Sequence, residues 1–155
     1  LPLLLSVAGD IGGGAVTDWL SVRLGARLGR VAVCTGGYLV AGLAMFASVA
    51  ASTPVSDAVL IAVAVAASMF TLSASWATCM DVGGTHTAVV SAAMNTAGQI
   101  GAIISPVATG WAVQRFADWQ IPLVIMGVLY TLAALLWVWI DPRRGLGTQS
   151  SHDAQ

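Results

Sequence analysis

An all-α integral membrane protein is the fold class this sequence predicts, and three observations predict it. Hydrophobic residues make up 57% of the chain and charged residues only 8%, against about 25% charged in an ordinary soluble domain. The apolar residues fall into runs long enough to cross a bilayer, which takes about 20 residues per helix. The arginines and tryptophans cluster where those runs end. A chain this poor in charge cannot coat a globule with solvated side chains, so its solvent is read as lipid.

Five runs qualify as spans: residues 1–20, 31–51, 58–80, 87–113 and 121–140. The breaks between them, SVRLGARLGR, STPVSD, DVGGTH and FADWQ, are short. Backbone amides find no water in hydrocarbon, so each run is expected to be a helix packed in a bundle. Residues 1–144 hold the spans, and the polar residues 145–155 are expected to be a disordered tail. The opening LPLLL lacks the charged leader and cleavage site of a signal peptide. The chain is therefore expected to be a piece of a longer polypeptide, with further helices before Leu1.

Orientation follows from the cations. Arg23, Arg27, Arg30, Arg143 and Arg144 share one side of five crossings, and Arg115 alone occupies the other. The positive-inside rule places the first group, and the C-terminus, in the cytoplasm of a cell whose inner (plasma) membrane holds the protein. Trp19, Trp137 and Trp139 then mark the inner interface, and Trp111 and Trp119 the outer one.

Polar residues inside the runs carry the functional reading. In the first run, Asp10 lies about 12 Å deeper than Asp18 at 1.5 Å per residue, near the bilayer midplane. An intramembrane carboxylate is costly and marks a proton acceptor, a cation ligand or the partner of an arginine. The plain alternative is a protonated acid bonded to a neighbour. Gly9 and Gly13, extended by Gly12 and Gly14, form a small-residue surface that lets another helix approach and slide. The third run carries Ser68, Thr71, Ser75 and Thr78 on one stripe. Hydroxyls bond back to their own helix, so this stripe reads as packing; Trp76 beside it either stacks on a substrate or, the favoured reading, anchors at the interface. In the fourth run Ser91, Asn95 and Gln99 recur every four residues and share a face. Amides there either line a cavity or hydrogen-bond across helices as glue. Gly98, Gly101, Pro106 and Gly110 are expected to interrupt that helix.

Other chemistries find little support. A net charge of −1 offers no cation cluster for nucleic acid. Cys34 and Cys79 sit in apolar runs without other soft ligands, so no metal site, cofactor or disulfide framework is expected.

The stretch GGAVTDWLSVR resembles the cytoplasmic loop signature of the major facilitator superfamily, with Gly14, Asp18 and Arg23 at its positions and Trp19 where a basic residue is usual. WATCMDVGGTHTAVVSAAMNTAGQIGAIISPVATGW is similar to the tenth-to-eleventh helix region of the anion:cation symporter family within that superfamily. Asp81, Gly83, Gly84, Asn95, Gly98, Gly101 and Pro106 match it, while Ser91 stands where glycine is common. Asp10 replaces a neutral residue, so the resemblance assigns it no role.

The resemblance implies the superfamily fold, with this chain as helices eight to twelve of twelve and a substrate held at the midplane. It implies a symporter of small carboxylates such as sugar acids, driven by protons or sodium and working by alternating access. The N-terminal half of the same protein would supply the cationic clamp. Asn95 is then the expected substrate contact, with Gln99 and Ser91 beside it. Asp10 is a possible coupling group, and Gly14, Asp18, Arg23 and Asp81 form a gating loop. Two other classes stay open. One is a sensor or channel on the same fold. The other is an intramembrane enzyme, for which His86 lies in a short turn and no serine elbow accompanies it.

Overall fold

In the computed structural model the described residues are 2–141, with side chains from residue 6 onward. The tail expected at residues 145–155, with Arg143 and Arg144, lies outside them. All regular structure among the described residues is helical: α1 (Pro2–Leu24), α2 (Ala26–Val49), α3 (Pro54–Phe70), α4 (Leu72–Gly83), a 3-10 turn (Gly84–His86), α5 (Thr87–Phe116) and α6 (Gln120–Trp139). Three helical stretches there are long and apolar enough to cross a membrane: Ala26–Val49, Gln120–Trp139 and the run Pro54–Phe116. The last folds back at the 3-10 turn, so that Cys79 of α4 meets Met94 of α5 at 3.3 Å. The molecule is thus an all-α bundle suited to a bilayer.

Local chemistry sets the ends. Gly25 alone links α1 to α2, with φ 85° and ψ 154°. The stretch SVRLGARLGR, expected as a loop, is therefore helical on both sides of one glycine. The reason is that arginine and leucine are good helix formers and only Gly25 adopts the positive φ that the turn needs. The third helix starts at Pro54, earlier than the apolar run. Thr53 Oγ1 accepts from Ser56 N at 3.2 Å, while Ser56 Oγ accepts from Thr53 N at 3.3 Å. This reciprocal cap, with proline at the first helical position, offsets the polar composition of STPVSD.

Two expectations about continuity are corrected. The third run is divided at Thr71, where α3 ends and α4 begins. There the Ser75 hydroxyl, as well as its N–H, donates to the Thr71 carbonyl, at 2.9 and 3.0 Å, and the Thr71 N–H reaches back three residues, not four, to the Ser68 carbonyl at 3.2 Å. The fourth run is not interrupted: α5 is helical across Gly98, Gly101, Pro106 and Gly110. A single proline removes one backbone bond, and a membrane helix tolerates that loss.

Helices in lipid gain nothing from burying apolar surface against each other, so close backbone approach has to hold them. Here α2 is central, against α1, α3 and α6, with a core of small residues such as Ala41, Ala44 and Ala64 around Met45. The α1–α3 contact is the closest. A Cβ on Gly9 would overlap the Ala66 carbonyl, and one on Gly13 the backbone of Phe70. On Gly12 it would only touch the Phe70 ring at 3.6 Å. The expected small-residue surface therefore reduces to Gly9 and Gly13.

Gly13→Ala should destabilise the bundle by about 1–3 kcal/mol, the range for overpacking a tight contact. Gly12→Ala should be neutral or stabilise by up to about 1 kcal/mol through helix propensity. Thermal unfolding of the two variants in detergent checks the contrast, and equal midpoints would remove the α1–α3 contact as the cause.

Candidate functional site

The polar residues of the spans divide into those whose needs are met within their own helix and those left open. Ser68, Thr71, Ser75 and Thr78 each donate to a carbonyl three or four residues back, at 2.8, 2.8, 2.9 and 2.8 Å. The hydroxyl stripe of the third run is thus satisfied locally. Asn95 and Gln99 are different. Both are exposed on α5, and neither hydrogen-bonds another described residue. They are not glue between the described helices.

They line a cleft of about 650 Å³ between α4, α5, α2 and α6. The cleft exists because α5 leans on α4 and barely touches α6; Ala112 is the one buried residue of α5. Gly98 and Gly101 hold no neighbour close, since a Cβ on either meets nothing within 4 Å. Facing the two amides are Tyr38, Ser75, Trp76 and Trp137. Tyr38 stacks on Tyr130 with ring centroids 6.0 Å apart, which fixes its ring on the α2 wall. Ser91 is half-buried and does not line the cleft, so the structure gathers Asn95 and Gln99 without it.

Three aromatic side chains line the cleft. Trp76 and Trp137, read as interfacial anchors, are two of them. Trp137 also packs on the buried cluster of Val33, Cys34 and Ala74. Tyr38 gave no signal in sequence, because one tyrosine in an apolar helix has no pattern to stand against. No charged side chain lines the cleft. Its polar chemistry is neutral: two carboxamides, a phenol, hydroxyls and indole N–H groups.

A second polar group lies on α1. The Ser73 hydroxyl is 3.1 Å from the Asp10 carbonyl oxygen and 3.2 Å from Asp10 Oδ1. Ser73 opens α4 just after the Thr71 break, so the Asp10 carboxylate is tied to that junction. Gly14, one turn on, also faces Ser73, whose Oγ would lie 3.6 Å from an added Cβ.

At the arginine-bearing end, Arg30 of α2 forms an ion pair with Asp81 of α4. Its Nη1 also donates to the Ala77 carbonyl at 2.9 Å. Asp18 of α1 lies close enough for its charge to act on the Arg30 guanidinium. Arg27 Nε is 3.5 Å from Asp141 Oδ1, joining α2 to the chain just after α6. Arg23 instead lies over the Trp19 ring, 4.1 Å from its centroid. The gating residues expected from sequence are therefore brought together in part: Asp18 and Asp81 converge, but on Arg30. The signal for Arg30 was available. It is the arginine nearest the hydrocarbon, where an unpaired charge is costliest.

Arg30→Gln and Asp81→Asn should show a coupling of about 1 kcal/mol in a double-mutant cycle, the scale of a partly exposed pair. Arg30→Gln alone should cost more than Asp81→Asn, because the bond to Ala77 goes with it. Thermal unfolding reads both, and additive effects would dissolve the pair as a tie between α2 and α4.

The chain is 31% identical over 149 residues to a protein of Cupriavidus necator named "Probable sulfoacetate transporter SauU", a match covering 92% of this chain and 33% of the other. The chain thus spans about a third of the length of that curated relative. No protein-family model matches the chain, and no solved structure matches it.

Proposed function

We propose that this chain is part of a membrane transporter that moves a small organic anion by alternating access. The observation that carries the reading is the pair Asn95 and Gln99, exposed and without partners on the wall of a cleft inside an apolar bundle. A buried amide in hydrocarbon is costly unless something polar meets it. Likeness to a protein named for sulfoacetate supports an anion as that partner, since carboxylate and sulfonate oxygens accept from amide N–H groups. The neutral cleft leaves the countercharge to the rest of the polypeptide.

In this reading the chain supplies helices eight to twelve of a major facilitator superfamily symporter in the inner membrane, with the arginine-bearing end cytoplasmic. Asn95 and Gln99 contact the substrate, and Tyr38 and Trp76 shape the cleft opposite them. Ser91 supports the same helix from one turn below. Asp10 carries the coupling proton, with Ser73 as its hydrogen-bond partner. Arg30 and Asp81 form the inner latch, Asp18 offers Arg30 a second partner when the halves rock, and Gly14 keeps α1 close to Ser73. Two alternative acid partners around one cation make a two-state element that substrate or proton binding can bias.

Uptake into proteoliposomes by the full-length polypeptide tests this, with sulfoacetate and a sugar acid such as galacturonate as substrates. Uptake should saturate and rise with an inward proton gradient. Asn95→Ala should lower uptake efficiency about tenfold or more, the loss of a hydrogen bond to a charged group. Ser91→Ala should change it less than about threefold, the effect of a small uncharged contact. Asp10→Asn should abolish the response to the gradient while leaving substrate binding. Wild-type kinetics in Asn95→Ala would remove the cleft as the site, and uptake linear in concentration would point to a channel.

A further inference from the structure

A second groove lies away from the amide cleft, between α1, α2 and α3, with a volume of about 480 Å³. Its walls hold Val16 and Leu20 of α1, Ala32 and Gly36 of α2, and Ala66 and Phe70 of α3. No hydroxyl, amide or charged side chain lines it. It stays open because Gly36 has no side chain to fill it: a Cβ there meets nothing within 4 Å. The rim is exposed, with Val16 at 36%, Val63 at 39% and Val40 at 49%.

Length and charge identify an occupant. From Gly9 to Leu20 the groove runs about 16 Å at 1.5 Å per residue. One leaflet of a hydrocarbon core about 30 Å thick has the same depth. The groove ends at the arginine-bearing end of the bundle. At 100° per residue Arg23 falls about 20° from Val16 around the α1 axis, so it continues the same wall. Arg23 forms no ion pair among the described residues and is held over Trp19 at 4.1 Å. The other two cations of this turn are engaged, Arg27 with Asp141 and Arg30 with Asp81. An apolar trough one leaflet deep, with a tryptophan and an uncommitted cation at its mouth, complements an anionic phospholipid.

We infer that this groove binds one anionic phospholipid, an acyl chain lying along α1 and α2 and the phosphate at Arg23. The inference stands apart from the transport reading and survives its failure. The test uses the full-length polypeptide, purified in detergent and stripped of lipid. It is titrated with phosphatidylglycerol or phosphatidylcholine carrying identical oleoyl tails, and bound lipid is counted by native mass spectrometry. Wild type should hold phosphatidylglycerol about fivefold more tightly, the preference one arginine near the headgroups supplies. Arg23→Gln should bring the ratio to about one while phosphatidylcholine binding persists. Gly36→Leu should weaken both lipids about fivefold or more through loss of groove area, with an unchanged thermal midpoint before lipid is added.

Wild-type lipid retention in Gly36→Leu would overturn the groove as the site, and a retained preference in Arg23→Gln would overturn the headgroup contact. A lower lipid-free midpoint in Gly36→Leu would mean that another helix of the polypeptide fills the groove. A dimer that this variant abolishes would mean that a second copy does.

Discussion

Hydrocarbon gives a peptide group nothing to bond to, and the rest of this structure depends on that constraint. Every backbone amide has to be paired inside a helix, so the apolar runs become rods. The rods then lack the drive that buries apolar faces in water, and contact has to come from proximity of backbones. The α1–α3 crossing meets the demand at Gly9 and Gly13, where even a methyl group would strike the facing main chain. Around that contact α2 sits on alanine and glycine, and α6 packs on α2.

The same constraint sorts the polar side chains. Hydroxyls are cheap because a carbonyl of their own helix lies within reach, and Ser68, Thr71, Ser75 and Thr78 all use one. Two of the arginines near the ends are paired across helices, Arg30 with Asp81 and Arg27 with Asp141. Carboxamides are longer and have two donors and an acceptor to satisfy, which a single helix cannot do. Their exposure on the cleft wall therefore carries information that the hydroxyl stripe does not. Asp10, with a serine for company, is another group that its own helix does not satisfy.

Much of this was legible in the sequence because the period and length of apolar runs are physical consequences of the solvent. The helical class, the shared face of Asn95 and Gln99, and the depth of Asp10 relative to Asp18 follow from spacing alone. Other features turned on small energy differences or on distant partners. That α1 and α2 turn on Gly25 alone was hidden by the arginines around it, which resemble a loop in composition but form helix readily. The break at Thr71 comes from a few competing hydroxyl bonds, each too weak to register as a pattern. Tyr38, Trp76 and Trp137 line one cleft from three helices, and no local window contains all three. Arg30 was visible as a cation close to the hydrocarbon, yet its choice of Asp81 needed the fold.

The central claim is that the Asn95–Gln99 face of α5 borders water. Introduced thiols report it directly, since maleimide reacts with the thiolate and a thiolate forms only where water reaches. With Cys34 and Cys79 replaced by alanine, single cysteines at positions 95 and 99 of the membrane-embedded full-length polypeptide should react with a water-soluble maleimide, and a saturating anionic substrate should slow them. A cysteine at position 104, half a turn away around the helix, should react far more slowly. Complete protection at both 95 and 99, with and without substrate, would contradict the account.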